Sequence, residues 1–224
     1  MHSLRDIFTE ETAENYRTTD KNRGRRSHLG LYEILFEPYR HSATKVFEIG
    51  VNKAGSIKAW RRYFSSATVY GIDIREKTLN RISSLERVVP VNLDQGNSEQ
   101  LEDFAKNGPF DIGIDDGSHI WKHQILTFEK LWPAIKPGGL YVIEDVSTSY
   151  ENYRKHNNPQ FSISCINYFK HMIDEINFYG EDIDRTPKEV WHSYQKTIDW
   201  ICFRSNAVFL RKRITDFDPN SNGE

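Results

Sequence analysis

Two short apolar runs, each ending in carboxylates, constrain this chain more than any other feature. Phe110-Asp111-Ile112-Gly113-Ile114 leads into Asp115-Asp116-Gly117-Ser118-His119, and Gly139-Leu140-Tyr141-Val142-Ile143 leads into Glu144-Asp145. Apolar runs of this length, bounded by turn residues, read as buried strands. As parallel neighbours they deliver all their acids to one carboxyl edge, the edge where open α/β sheets bind ligands. Clustered carboxylates repel one another unless a cation or a proton lies among them. Hard oxygen donors at such an edge point to Mg²⁺ or a similar ion. His119 stands beside them as a candidate base.

The surrounding pattern supplies the rest of a sheet. Val46-Phe47-Glu48-Ile49-Gly50 is an apolar strand ending at a glycine, and a loop then leads into a helix carrying Ile57, Trp60 and Phe64. Thr68-Val69-Tyr70-Gly71-Ile72-Asp73 is a second strand with an acidic end. Val88-Val89-Pro90-Val91-Asn92 is a third, and Pro90 confines it to a sheet edge because proline cannot donate to a central ladder. Helical patterns over residues 98–106 and 123–135 separate the later strands. Alternation of this kind predicts a parallel sheet with helices on both faces. Near the end, residues 197–203 and 207–211 flank Arg204-Ser205-Asn206, a β-hairpin signal.

Residues 1–44 form an N-terminal helical segment, a candidate cap and oligomer interface, with one stripe of Leu4, Ile7 and Phe8 and another of Leu31, Ile34 and Leu35. Between them, residues 18–28 carry Lys21, Arg23, Arg25 and Arg26 and read as a solvated loop. Residues 45–214 form the main domain. Within it, residues 147–190 show no clean strand and read as a lid over the acidic edge, with one helix at 163–176. Residues 215–224 read as a frayed tail.

A chain of 224 residues suffices for one α/β domain. A net charge of −2 argues against nucleic acid or an anionic membrane as partner. No apolar run spans a bilayer, and the first residues lack the apolar core of a secretory signal. Cys165 and Cys202 lack metal-type spacing. Two free thiols in a cytoplasmic protein is the expectation.

A second half-site lies upstream. In Glu48-x-Gly50-x-x-x-x-Gly55-Ser56 the glycines let a ligand approach the backbone, and the following helix start favours a negative group. The spacing is not the G-x-G-x-x-G of a dinucleotide site. Asp73, at the end of its strand, can accept hydrogen bonds from ribose hydroxyls. His123 lies four residues past His119, but no acid-rich zinc motif surrounds the pair.

Taken together, Glu48-Ile49-Gly50, Gly55-Ser56, Ile72-Asp73, Asp94-Gln95, the Asp-Asp-Gly-Ser-His run and Ile143-Glu144-Asp145 resemble the class I S-adenosylmethionine-dependent methyltransferases. Within these the chain is similar to metal-dependent O-methyltransferases acting on sugar hydroxyls of natural products, the macrolide-sugar and cephalosporin-hydroxylase-like group. The resemblance implies a Rossmann-like, seven-stranded, mostly parallel sheet with helices on both faces and a C-terminal antiparallel hairpin. It implies S-adenosylmethionine and Mg²⁺ as cofactors and a small molecule bearing a sugar hydroxyl or vicinal diol as substrate. It implies that Glu48, Gly50 and Ser56 surround the methionine portion, with Gly55 also among the cofactor-binding residues, and that Asp73 holds the ribose. Asp94 and Gln95 then lie near the adenine, with Asp115 also on the cofactor side. Asp116, Glu144 and Asp145 become the metal ligands, and His119 with Asp116 the catalytic pair. The alternatives are an NAD-dependent oxidoreductase, against which the missing fingerprint and the hairpin count, and a non-catalytic cofactor-binding relative.

Overall fold

A computed structural model describes residues 2–13, 19, 21, 27–150, 163–177, 194 and 196–215. Its helices are α1 (Leu4–Ala13), α2 (Leu29–Phe36), α3 (Gly55–Tyr63), α4 (Glu76–Leu79), α5 (Ser98–Ala105), α6 (Trp121–Leu131) and α7 (Cys165–Asn177). The strands are β1 (Lys45–Ile49), β2 (Thr68–Asp73), β3 (Val88–Asn92), β4 (Phe110–Asp115), β5 (Ile135–Glu144), β6 (Ile198–Arg204) and β7 (Ala207–Lys212). They form one seven-stranded sheet in the order β3-β2-β1-β4-β5-β7-β6. The first five are parallel; β7 runs antiparallel to both β5 and β6. Pro90 sits in β3 at the sheet's edge, pairing only toward β2, where its missing N–H breaks no central ladder.

Side-chain parity explains the two apolar layers. On β1, β4 and β5, Val46, Ile112, Ile114, Leu140 and Val142 face one core, which α1, α2 and α3 cover with Phe8, Tyr32 and Trp60. Phe47, Tyr141 and Ile143 face the other, covered by α5, α6 and α7 with Phe104, Phe128 and Phe169; Phe110 joins them, out of step with Ile112, where the β4–β5 register shifts. Successive strand residues point to opposite faces, so each acid at a strand end inherits the layer of its parity. The burial face of α2 differs from the expected stripe. Leu29, Tyr32 and Phe36 are buried, with the two aromatic rings against Trp60 and Phe209; of the expected stripe, Leu31 and Leu35 are half-buried against the same core and only Ile34, 71% exposed, points away.

The helix predicted to end at residue 135 stops at Leu131 and passes through a 3-10 turn at Trp132–Ala134, where Pro133 removes an N–H. Both cysteines are free thiols; Cys165 is buried in the second core and Cys202 is half-buried on β6. Residues 151–162 and 178–193, most of the expected lid, and the tail from 216 onward lie outside the described residues. Among the described residues no helix is long and apolar enough to cross a membrane.

Candidate active site

Strand order reverses between β1 and β4, and the crevice at such a switch point is where parallel sheets take ligands. A cavity of about 530 Å³ opens there, lined by residues that follow β1, β2, β3, β4 and β5. Gly50 brings two of these loops together. Its φ is +97°, its N–H donates to the Ile72 carbonyl at 2.8 Å, and a Cβ built on it would overlap the Asp116 carbonyl. Only glycine combines that dihedral with that approach.

Of the residues assigned to a cofactor, Gly50, Asp73, Asp94 and Gln95 line the cavity. Asp73 is oriented by the backbone N–H of Arg75 at 2.9 Å and of Asn52 at 3.3 Å. Asp94 accepts from the Gly96 N–H at 2.8 Å. Glu48, Gly55, Ser56 and Asp115 lie behind the wall instead, all buried. Asp115 has the parity of Gly113 and turns away from its neighbour Asp116. Gln95 donates to both of its oxygens, at 2.7 and 2.8 Å, and the Gly117 N–H donates at 3.2 Å. It braces the loop.

Burial raises the Asp115 carboxyl to about 7, against the opposing pull of the Gly117 and Gln95 hydrogen bonds. A raised carboxyl contributes its stability below the unfolded value of 3.8 and loses it as pH climbs through about 7. Asp115→Asn, which has nothing to ionise, should therefore gain on the parent across that interval. The upper bound is roughly 4 kcal/mol at 1.36 kcal/mol per pH unit. Urea unfolding at pH 4, 5.5, 7 and 8 checks this, and a difference independent of pH would contradict the assignment.

Asp116, His119 and Asp145 converge at the cavity rim, each offering one ligand atom within 4.8 Å of the others. His119 has φ +58° and precedes α6, so it is not on the same helix as His123. Its Nε2 lies 3.4 Å from Asp145 Oδ2, while its buried Nδ1 has no hydrogen-bond partner among the described residues. Asp145 is likewise left-handed, at φ +55°, and Asn206 in the β6–β7 turn holds it through a short bond from Nδ2 to Oδ1. Asn206 also accepts from the Ser147 N–H through Oδ1 at 2.9 Å. His123 faces Ser118, at 3.0 Å from Nδ1 to Oγ, across the cavity.

Glu144, the third expected metal ligand, is not part of that convergence. It shares parity with Val142 and faces the N-terminal layer, where Tyr32 donates its hydroxyl at 2.5 Å and Lys21 its ammonium at 2.5 Å. Lys21 departs most from the sequence reading. Far from being solvated, it is fully buried, and it also lies 2.6 Å from Asp116 Oδ2 and 3.2 Å from Glu48 Oε1. Trp60 Nε1 donates to the other oxygen of Glu48 at 2.6 Å. Burial pulls the Lys21 pKa down, but Asp116, Glu144 and Glu48 outweigh it and hold the ammonium protonated well above the usual lysine value. Burial raises Glu48 and Asp116 in turn, with Lys21 opposing. Lys21 and Asn206 are the site residues that sequence reasoning missed. Parity carried a signal for the first: Glu48 and Glu144 fall on the face with Val46 and Val142, and two buried acids there require a cation.

Sheet order, switch-point cavity and terminal hairpin together define a class I, Rossmann-like methyltransferase fold. The MycE methyltransferase from the mycinamycin biosynthetic pathway, solved in complex with Mg, S-adenosylhomocysteine (SAH) and mycinamycin VI, aligns with a TM-score of 0.78 and 28% identity, covering 99% of this chain and 57% of that one. In sequence the chain is a homologue of the sugar O-methyltransferases of macrolide and tetracenomycin pathways. It is 34% identical over 198 residues to 8-demethyl-8-alpha-L-rhamnosyl tetracenomycin-C 2'-O-methyltransferase of Streptomyces olivaceus, covering 85% of this chain and 51% of that protein. It is 38% identical over 197 residues to mycinamicin VI 2''-O-methyltransferase of Micromonospora griseorubida, covering 83% and 48% respectively. The chain thus spans about half the length of the curated relatives it matches. No protein-family model matches it.

Proposed function

We propose that this chain is an S-adenosylmethionine- and Mg²⁺-dependent O-methyltransferase acting on a sugar hydroxyl of a glycosylated natural product. The observation that carries the reading is the convergence of Asp116, His119 and Asp145 on the rim of the cavity that Asp73 also lines. The two carboxylates suit a hard divalent cation with open positions, and the imidazole beside them is left to accept a proton. The left-handed Gly50 and the carboxylate of Asp73, fixed by two backbone N–H groups, suit a nucleoside with a free diol. The relatives' substrates, a rhamnosyl tetracenomycin and a mycinamicin, support the acceptor class.

When bound, S-adenosylmethionine supplies an electrophilic sulfonium methyl, and Mg²⁺ makes the acceptor hydroxyl more acidic and fixes it in line. This chain's residues do the rest. Asp116 and Asp145 hold the cation, and Asn206 keeps Asp145 in the conformation that faces it. His119 is placed to take the hydroxyl proton; the acceptor oxygen would gain the methyl group and the carbon–sulfur bonding pair would leave with sulfur. Asp145, beside its Nε2, stabilises the imidazolium that results.

Asp73→Ala removes an acceptor from the ribose diol. Its affinity for SAH should fall about 10- to 100-fold, the worth of one or two hydrogen bonds to a charged group, with Mn²⁺ binding unchanged. The reading as a whole is tested by titrating the protein calorimetrically with SAH, with and without Mg²⁺. Incubation with S-adenosylmethionine and a rhamnosylated polyketide, read by mass spectrometry, follows. SAH binding together with a cation-dependent methylated product supports it. A folded protein that binds no SAH in either condition refutes it.

A further inference from the structure

The proposed reaction leaves the Lys21 ammonium without a task. A buried lysine is costly unless paired, and here, among the described residues, one ammonium meets three carboxylates. Each belongs to a different strand end: Glu48 to β1, Asp116 to the residue after β4, and Glu144 to β5. Asp116 is the shared member. It accepts from Lys21 through Oδ2 and also offers an oxygen to the group with His119 and Asp145. The lysine thus joins the interior acids, out of reach of the cavity, to the rim acids that line it.

We propose that Lys21 is a built-in counter-cation, a positioning residue that sets how strongly the rim group attracts a divalent ion. The inference rests on the cation site proposed above. An ammonium bonded to Asp116 withdraws part of that carboxylate's charge and opposes the approach of a doubly charged ion, in surroundings where water screens little. It also fixes the Asp116 and Glu144 side chains against each other's repulsion. Removing the ammonium has two effects of opposite sign. The buried Glu48 and Glu144 and the half-buried Asp116, left uncompensated, weaken the fold, and the same carboxylates bind a divalent cation more tightly. A lysine that merely braced the N-terminal segment would produce the first effect alone.

The test uses the full chain, with Mn²⁺ as the probe. Wild type, Lys21→Met and Lys21→Gln are titrated calorimetrically at one pH, and each is melted with and without saturating Mn²⁺. The expected result is an Mn²⁺ Kd at least tenfold lower in both variants. Their Tm should be depressed without the ion and largely restored with it. Lys21→Gln retains amide donors for two of the three acids and keeps the experiment readable where Lys21→Met fails to fold. A Kd unchanged or raised, with the same Tm deficit at every Mn²⁺ concentration, overturns the proposal while leaving the cation site standing. If no form binds Mn²⁺ although all bind SAH, the cation site itself is wrong and the role of Lys21 falls with it.

Discussion

Gly50→Ala should lose about 2–6 kcal/mol of stability and most of its SAH affinity. Two independent costs add at this position. The first is backbone strain, because φ is +97° and a residue with a Cβ held there costs on the order of 1–3 kcal/mol. The second is overlap, because the new methyl group falls on the Asp116 carbonyl and then meets Gly117 Cα. Overpacking of this kind costs about 1–3 kcal/mol. The atoms in the way are backbone, and that backbone is tied down by the Asp116 N–H donating to the Ile49 carbonyl at 3.0 Å. No side-chain rotation relieves the clash. Relief comes only by separating the β1 and β4 loops, which moves Asp116 off the rim. Urea unfolding and SAH titration measure both effects. A variant within 1 kcal/mol of the parent, with SAH affinity intact, would show that the two loops do not meet as described.

Asp116→Asn should abolish cation-dependent turnover, a loss of at least about a hundredfold, while leaving SAH binding within a few-fold. A bound cation contributes several kcal/mol of charge stabilisation to a metal-assisted step, so a variant that no longer holds it loses about tenfold in rate for each 1.36 kcal/mol. The fold should tolerate the change. Lys21 keeps Glu48 and Glu144 as partners, and the cluster loses one of the three negative charges that the described residues set around a single ammonium. Methyl transfer followed by mass spectrometry, with and without a chelator, gives the readout. Full activity in the variant after metal removal would exclude the proposed role of Asp116.

The outline of the fold was legible because its signals are local. Strand runs, the proline at residue 90 and the turn between residues 203 and 207 act over a few neighbours, and each corresponds to an element in the sheet. The stripe of Leu4, Ile7 and Phe8 likewise marked a buried helix face. The α2 stripe was right for Leu31 and Leu35, which pack at the core's margin, and wrong for Ile34; it passed over Tyr32 and Phe36, whose partners Trp60 and Phe209 lie far along the chain.

The acids divide in the same way. That Asp115, Asp116, Glu144 and Asp145 come to one edge follows from the apolar run preceding each pair, and the amino-acid sequence alone determines it. Which of them faces the cavity was decided by tertiary structure. Asp115 and Glu144, the last residues of β4 and β5, point to opposite layers, to Gln95 and to Tyr32, while Asp116 and the left-handed Asp145, one residue past the strand ends, both come to the rim. The burial of Lys21 was beyond local reading altogether. Its partners are 95 and 123 residues away, and a lone lysine in a polar stretch looks solvated until the fold sets three carboxylates around it. Local sequence settles where strands end and which residues they carry. The charge balance at those ends depends on contacts between segments distant in the chain, and those exist only once the sheet and its N-terminal layer have packed.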